Sequence, residues 1–167
     1  MRYLVTGGAG FIGYSLSMEL LKQGEEILIV DNLSDYYDVE LKKSRLKNLN
    51  QAKILIGDIS DKNFVEEVLS TNKVDKIVHL AAQAGVRYSI ENPFEYEKSN
   101  SLATLNIFQS AKEFDIEHII YASSSSVYGG NEKHPFSVED RVDNPVSFYA
   151  ATKKYSELMA HVYFHLH

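Results

Sequence analysis

The sequence predicts an α/β fold in which a parallel sheet is covered on both faces by helices. Three observations lead there. Short β-branched apolar runs alternate with helix-periodic stretches. The runs are apolar throughout rather than at every second residue, as strands buried on both faces require. A glycine-rich turn joins the first run directly to the first helix. In chain order, Arg2 to Thr6 reads as a strand, and Phe11 to Leu21 as a helix closed by Gly24. Glu26 to Asp31 is the second strand, Leu41 to Leu49 a short basic helix and Lys53 to Gly57 the third strand. Asp61 to Ser70 is a helix with Asp61 at its N-cap, and Lys76 to Ala81 is the fourth strand. A long helix starts at Pro93, a favoured first-turn residue, and runs to Phe114; His118 to Ser123 is the fifth strand. Asn144-Pro145 leads into a last helix from Ser147 to His165.

The chain has 167 residues, which suits one domain with a core able to fold alone. Its net charge of −6 disfavours wrapping a nucleic acid or lying on an acidic membrane face, so phosphate groups must be met locally. With no cysteine there is no thiolate nucleophile or disulfide, in keeping with a reducing compartment. No apolar run approaches membrane-spanning length and no signal peptide is evident, so the expectation is a soluble, cytoplasmic protein. His161, His165 and His167 cluster near the end, and His161 with His165 is an i, i+4 pair, but no acidic or third ligand lies at metal spacing and no metal site is expected.

Thr6 to Gly13 reads T-G-G-A-G-F-I-G, with Gly7, Gly10 and Gly13 three apart between a strand and a helix. Gly7 permits the tight turn, Gly10 lets backbone approach a pyrophosphate, and Gly13 allows close helix packing. The helix N-terminus then offers free N–H groups to phosphate. Asp31 ends the next strand, where a carboxylate can accept hydrogen bonds from both ribose hydroxyls and repel a 2′-phosphate. NAD is therefore expected over NADP. Asp58 closes the third strand, where it could meet the adenine amino group or simply cap a helix. Ala81 and Ala82 are small enough to leave room for a flat cofactor, although small buried residues are also ordinary packing. The sheet expected is a doubly wound, Rossmann-type one of order 3-2-1-4-5.

Tyr149 and Lys153 form Y-x-x-x-K, which places both side chains on one helix face. An ammonium beside a phenol stabilises the phenolate, as a tyrosine base needs. Ser123 to Gly129 reads S-S-S-S-V-Y-G at the C-terminal end of a strand, where open α/β sheets place ligands.

Together these motifs resemble the extended short-chain dehydrogenase/reductase family, which comprises the nucleotide-sugar epimerases and dehydratases. T-G-G-A-G-F-I-G, Asp31, Gly57-Asp58-Ile59, His79-Leu80-Ala81-Ala82, S-S-S-S-V-Y-G and Y-A-A-T-K all fall in family order. The resemblance implies a catalytic trio of Ser124, Tyr149 and Lys153. It also implies a cofactor site drawn from Gly7, Gly10, Phe11, Ile12, Gly13, Asp31, Asp58, Ile59, Leu80, Ala81, Ala82 and Asn100 with Tyr149 and Lys153. Asn100 matches an asparagine near the cofactor, although Ala103 stands where the family usually has glycine. Ala82 to Ser89 and Pro145 to Tyr149 are similar specifically to the bacterial capsule type of UDP-glucuronate 4-epimerase.

Ser125 and Ser126 stand where dehydratases and decarboxylases of the family carry acids. Hydroxyls there suit a sugar carboxylate, which an acid would repel. Arg87 is a second candidate partner for that carboxylate, or a surface arginine. The implied reaction interconverts UDP-glucuronate and UDP-galacturonate through a 4-keto sugar, with NAD held tightly; another UDP-hexose is the alternative substrate. Family members continue past the Y-x-x-x-K helix, so the chain is expected to be the front half of such an enzyme, lacking the last strands and the substrate lobe. Two other readings stand beside it: a chain that binds NAD without turnover, and a fragment without function. An apolar strand around Ile119 to Tyr121 at the sheet edge should need cover, from the terminal helix, a second copy or a complementary half. The resemblance also implies a homodimer through helices 93–114 and 147–165.

Overall fold

The computed structural model describes residues 1–167. Five parallel strands form one sheet in the order β3-β2-β1-β4-β5, as expected. They are β1 (Arg2–Thr6), β2 (Glu26–Asp31), β3 (Lys53–Ile56), β4 (Lys76–His79) and β5 (Ile119–Tyr121). The helices are α1 (Phe11–Lys22), α2 (Val39–Asn48), α3 (Lys62–Thr71), α4 (Val86–Glu91), α5 (Pro93–Tyr96), α6 (Ala103–Glu113) and α7 (Phe148–Leu166).

Successive residues of the central strands point to opposite faces, and both faces are buried. Leu4, Leu28 and Val30 pack with Val65, Val68 and Ile107 under α3 and α6. Val5, Ile27 and Ile29 pack with Leu46 and Leu49 on the other face. This explains why the strands read as unbroken apolar runs. Each fully buried side chain of this size contributes about 1.5–3 kcal/mol.

Sequence periodicity misplaces several boundaries. β4 stops at His79 rather than Ala81, because the N–H groups of Leu80 and Ala81 turn to the Thr6 hydroxyl, at 3.2 Å each. The helix expected from Pro93 to Phe114 is interrupted by a π-helical turn over Glu97–Leu102, and α4 precedes it. Asp61 caps α3 as expected, accepting from the N–H groups of Asn63 and Phe64. β5 has only three residues, pairs only with β4 and leaves Ile120 49% exposed, so the terminal helix α7 does not cover that edge. No helix is long and apolar enough to cross a membrane, and no group of histidines and acids is arranged to hold a metal.

Candidate active site

The C-terminal ends of the strands open into a groove of about 220 Å³. Of the residues expected to hold the cofactor, Gly7, Gly10, Asp31, Asp58, Ile59, Leu80, Ala81 and Ala82 line it together. The turn after β1 leaves no room for side chains. Gly7 has φ +72°, and a Cβ there would lie 2.7 Å from the Ala81 nitrogen; one on Gly13 would lie 2.3 Å from the Gly7 carbonyl oxygen. The glycines thus bring α1 against the strand end, with its first N–H groups open. Phe11 and Ile12 follow with 74% and 63% of their surface exposed, apolar residues at the head of a helix whose other side packs on the sheet.

Asp31 is 7% exposed and is held from both sides. Its carboxylate accepts from the N–H of Ala9 at 3.0 Å and from that of Leu33 at 2.9 Å, so it also braces the glycine-rich turn. Each oxygen retains acceptor capacity toward the groove. The glycine cradle, the open helix end and this carboxylate fit an adenine dinucleotide.

A buried network lies behind the groove and was not anticipated from sequence. The Thr6 hydroxyl accepts from Leu80 and Ala81, so its own proton goes to His79 Nδ1 at 2.8 Å. His79 Nε2 is then the protonated nitrogen and donates to the Thr104 hydroxyl at 3.1 Å. Burial, with a smaller contribution from the Lys153 charge, pushes the His79 pKa down to about 3, which keeps the ring neutral. The network fastens the turns after β1 and β4 to α6.

Ser124, Tyr149 and Lys153, the catalytic candidates, do not line this groove; they lie at the end of β5 and on α7. Ser147 caps α7 by accepting from the Ala150 N–H, and this sets the rotation of the helix that carries Tyr149 and Lys153. The ammonium of Lys153 is buried, donates to the Ala122 carbonyl at 2.9 Å and lies 6.0 Å from the centre of the Tyr149 ring. Burial lowers its pKa to about 8. Tyr149 is half-buried, edge-on to the Tyr96 ring at 6.1 Å. Ser124 caps a 3₁₀ turn over Ser125–Tyr128, accepting from the Ser126 N–H and donating to its hydroxyl, both at 3.1 Å. One helix and the end of β5 therefore carry a phenol, an unpaired ammonium and a row of hydroxyls, and α7 packs against the 3₁₀ turn that holds the hydroxyls.

Comparison with known proteins follows from this geometry. Residues 4–167 match the GDP-mannose 4,6 dehydratase family. The chain belongs to this family of NAD-dependent epimerases and dehydratases. It is 54% identical over 98% of its length to an uncharacterised protein of Methanocaldococcus jannaschii, covering 52% of that protein. It is 45% identical over 99% of its length to the UDP-glucuronate 4-epimerase of Thermodesulfobacterium geofontis, covering 52% of it. Among solved structures, it is similar to UDP-glucose 4-epimerase from Bifidobacterium longum in complex with NAD+ and UDP. That match has TM-score 0.87 and 30% identity, over 99% of this chain and 50% of the other. The Thermotoga maritima UDP-glucose 4-epimerase with UDP-glucose gives TM-score 0.88 and 29% identity, over 99% and 52%. The chain spans about half the length of these relatives.

Other expected residues of this family member are engaged within the fold or exposed away from the lining. Asn100 does not line the groove. Buried in the π-helical turn, it accepts from the Gln83 N–H at 2.7 Å and donates to the Gln83 carbonyl and the Thr152 hydroxyl. Its place is a strut joining the loop after β4 to α7. Asp58 both holds a turn, accepting from the Ser60 N–H at 2.9 Å, and pairs with Lys98 at 3.1 Å. Burial pushes its pKa up, but the Ser60 hydrogen bonds and Lys98 outweigh this and leave it lowered. Arg87 and Ser125 are exposed, and Arg87 makes no ion pair within the chain.

Proposed function

We propose that the chain is the cofactor-binding and catalytic half of a UDP-sugar 4-epimerase that uses NAD and acts on UDP-glucuronate. The observation that carries this reading is the buried Lys153 ammonium, held by the Ala122 carbonyl 6.0 Å from the Tyr149 ring, in a chain whose glycine turn and Asp31 line a groove at the strand ends. Gly7, Gly10, Asp31 and Ala81 would hold the adenosine and pyrophosphate. When bound, NAD supplies a reversible two-electron acceptor for the sugar C4 carbinol. The chain's own residues manage the proton. Lys153 stabilises the Tyr149 phenolate, which takes the proton from the 4-hydroxyl while the Ser124 hydroxyl holds that oxygen. After the 4-keto sugar turns over, the Tyr149 hydroxyl returns the proton from the same position.

The glucuronate assignment is supported by Ser125 and Ser126, which offer hydroxyls where an acid would repel a carboxylate, and by the unpaired Arg87 nearby in sequence to the groove loop. The identity to UDP-glucuronate 4-epimerases also supports it. Exposed apolar residues on the two long helical stretches, among them Phe94, Leu102, Leu158 and Val162, support a homodimer through those helices. Because the chain covers about half of its relatives, NAD binding without turnover is the second reading.

The test is direct. The chain is incubated with NAD and UDP-glucuronate, and UDP-galacturonate is measured by chromatography. Product supports the first reading, bound NAD without product the second, and neither defeats both.

A further inference from the structure

Five charged side chains line the groove: Asp31, Asp58, Glu95, Lys42 and Lys98. Lys98 is neutralised by Asp58. Lys42 is different. It is only 8% exposed, yet no carboxylate lies within ion-pair distance. Its single side-chain partner is the Ser34 carbonyl, to which Nζ donates at 2.6 Å, and this leaves two N–H donors of the ammonium without a partner in the chain. A buried cation without a counter-charge is costly unless an anion completes it.

The segment that presents it is built rather than loose. Asp31 accepts from Leu33, Asn32 from Ser34, the Ser34 hydroxyl from Tyr36, and Asp38 caps α2 through Glu40. These local bonds carry the chain from β2 into the first turn of α2, where Lys42 sits. Gly7 and Gly10, at the open N-terminus of α1, line the same groove. The groove is therefore lined both by a helix end with free N–H groups and by an ammonium without a counter-charge.

Building on the dinucleotide reading of this groove, we propose that Lys42 is its phosphate-binding cation, donating to a pyrophosphate oxygen of the bound adenine dinucleotide. The sequence could not disclose this, because a lysine in a short basic helix reads as solvated. The pyrophosphate is favoured over a 2′-phosphate because Asp31, which lines the same groove, would repel the latter.

The test titrates the chain and its Lys42→Met and Lys42→Arg variants with ADP-ribose, 2′-AMP and adenosine by calorimetry. Lys42→Met keeps the length and apolar stem and removes the charge. It should weaken ADP-ribose binding about ten- to hundredfold, leave adenosine within about twofold, and be partly rescued in Lys42→Arg. Equal losses for adenosine and ADP-ribose would reduce Lys42 to a prop for the Ser34 segment and overturn the proposal, as would no loss. A larger loss for 2′-AMP than for ADP-ribose would overturn the pyrophosphate assignment. Should the variants fail to fold, the Lys42 side-chain nitrogen resonance of the parent decides: it should move with ADP-ribose and not with adenosine, and an unmoved signal overturns the proposal. A parent chain that binds none of the three ligands defeats the dinucleotide reading itself, a result distinct from intact binding that ignores Lys42.

Discussion

The β1-β2 side of the sheet and the β5-α7 side obey opposite rules. On the first side the strands are paired on both edges, and Ile27 to Asp31 are all buried. Apart from Lys42, the polar groups named around the groove are matched, from Asp31 and its two N–H donors to the Thr6, His79 and Thr104 chain. On the second side a three-residue strand has one neighbour, Ile120 is half-exposed, and Phe164 and Leu166 are 87% and 65% exposed on the last helix. A groove of about 910 Å³ opens there, lined by Phe108, Ile119, Tyr121 and Tyr163. The geometry of the groove is thus secured within the chain, whereas the surface flanking α7 is apolar and open.

The comparison can be broken most sharply at Tyr149, which stands between the two sides. Joined to the second half of the Thermodesulfobacterium geofontis epimerase, Tyr149→Phe should lower turnover by about 10³-fold and leave NAD affinity unchanged, because only a hydroxyl is lost. Retained epimerisation, followed by chromatography, would move the base elsewhere.

The buried network should make the first side sensitive to acid. The folded-state pKa of His79, about 3, lies below the ordinary 6.5, so the unfolded chain binds the extra proton between those values. Stability is present above pH 6.5 and is lost as pH falls toward 3. This group should cost about 1.4 kcal/mol per pH unit inside that window. Urea melts at pH 6 and pH 4 should show that slope in the parent and a shallower one in His79→Gln. An equal slope in the two would remove His79 as the cause.

A smaller effect is expected at Asp31. Asp31→Ala should weaken NAD binding by about 1–3 kcal/mol, since it removes ribose acceptors and frees the Ala9 N–H. Calorimetry that finds unchanged affinity would rule out the ribose contact.

The smallest effect has the opposite sign. Burial lowers the Lys153 pKa to about 8, so the folded chain bears the cost of a buried charge below that pH. Lys153→Met should raise stability at pH 7 by on the order of 1 kcal/mol, net of the lost bond to Ala122. The gain should shrink as pH rises from 8 toward 10.5, where the parent no longer carries that charge. A variant less stable than the parent at pH 7 would mean that the ammonium supports the fold instead of straining it.

Much of the first side was legible in the residues. Three glycines at fixed spacing between an apolar run and a helix, and a carboxylate at the end of the next run, depend on local backbone geometry, which sequence carries directly. The strand order followed from the same motif. What was not legible depends on contacts distant in sequence. The π-helical turn puts Asn100 against Gln83 and Thr152, which no periodicity announces. The resemblance placed Asn100 near the cofactor, and within the chain its amide joins the loop after β4 to α7. His79 is a plain residue at the end of an apolar strand until Thr6 and Thr104 meet it from 73 and 25 residues away. Lys42 was hidden for the converse reason, since charge predicts exposure and only the folded groove buries it.

The measurement closest to the central claim is a calorimetric titration of the chain with NAD and with NADP, each in the absence and presence of UDP-glucuronate. Saturable NAD binding at one site per chain is expected, with NAD affinity at least about tenfold above that for NADP, because Asp31 would repel a 2′-phosphate. NADP bound as tightly as NAD, or no binding of either, would contradict it.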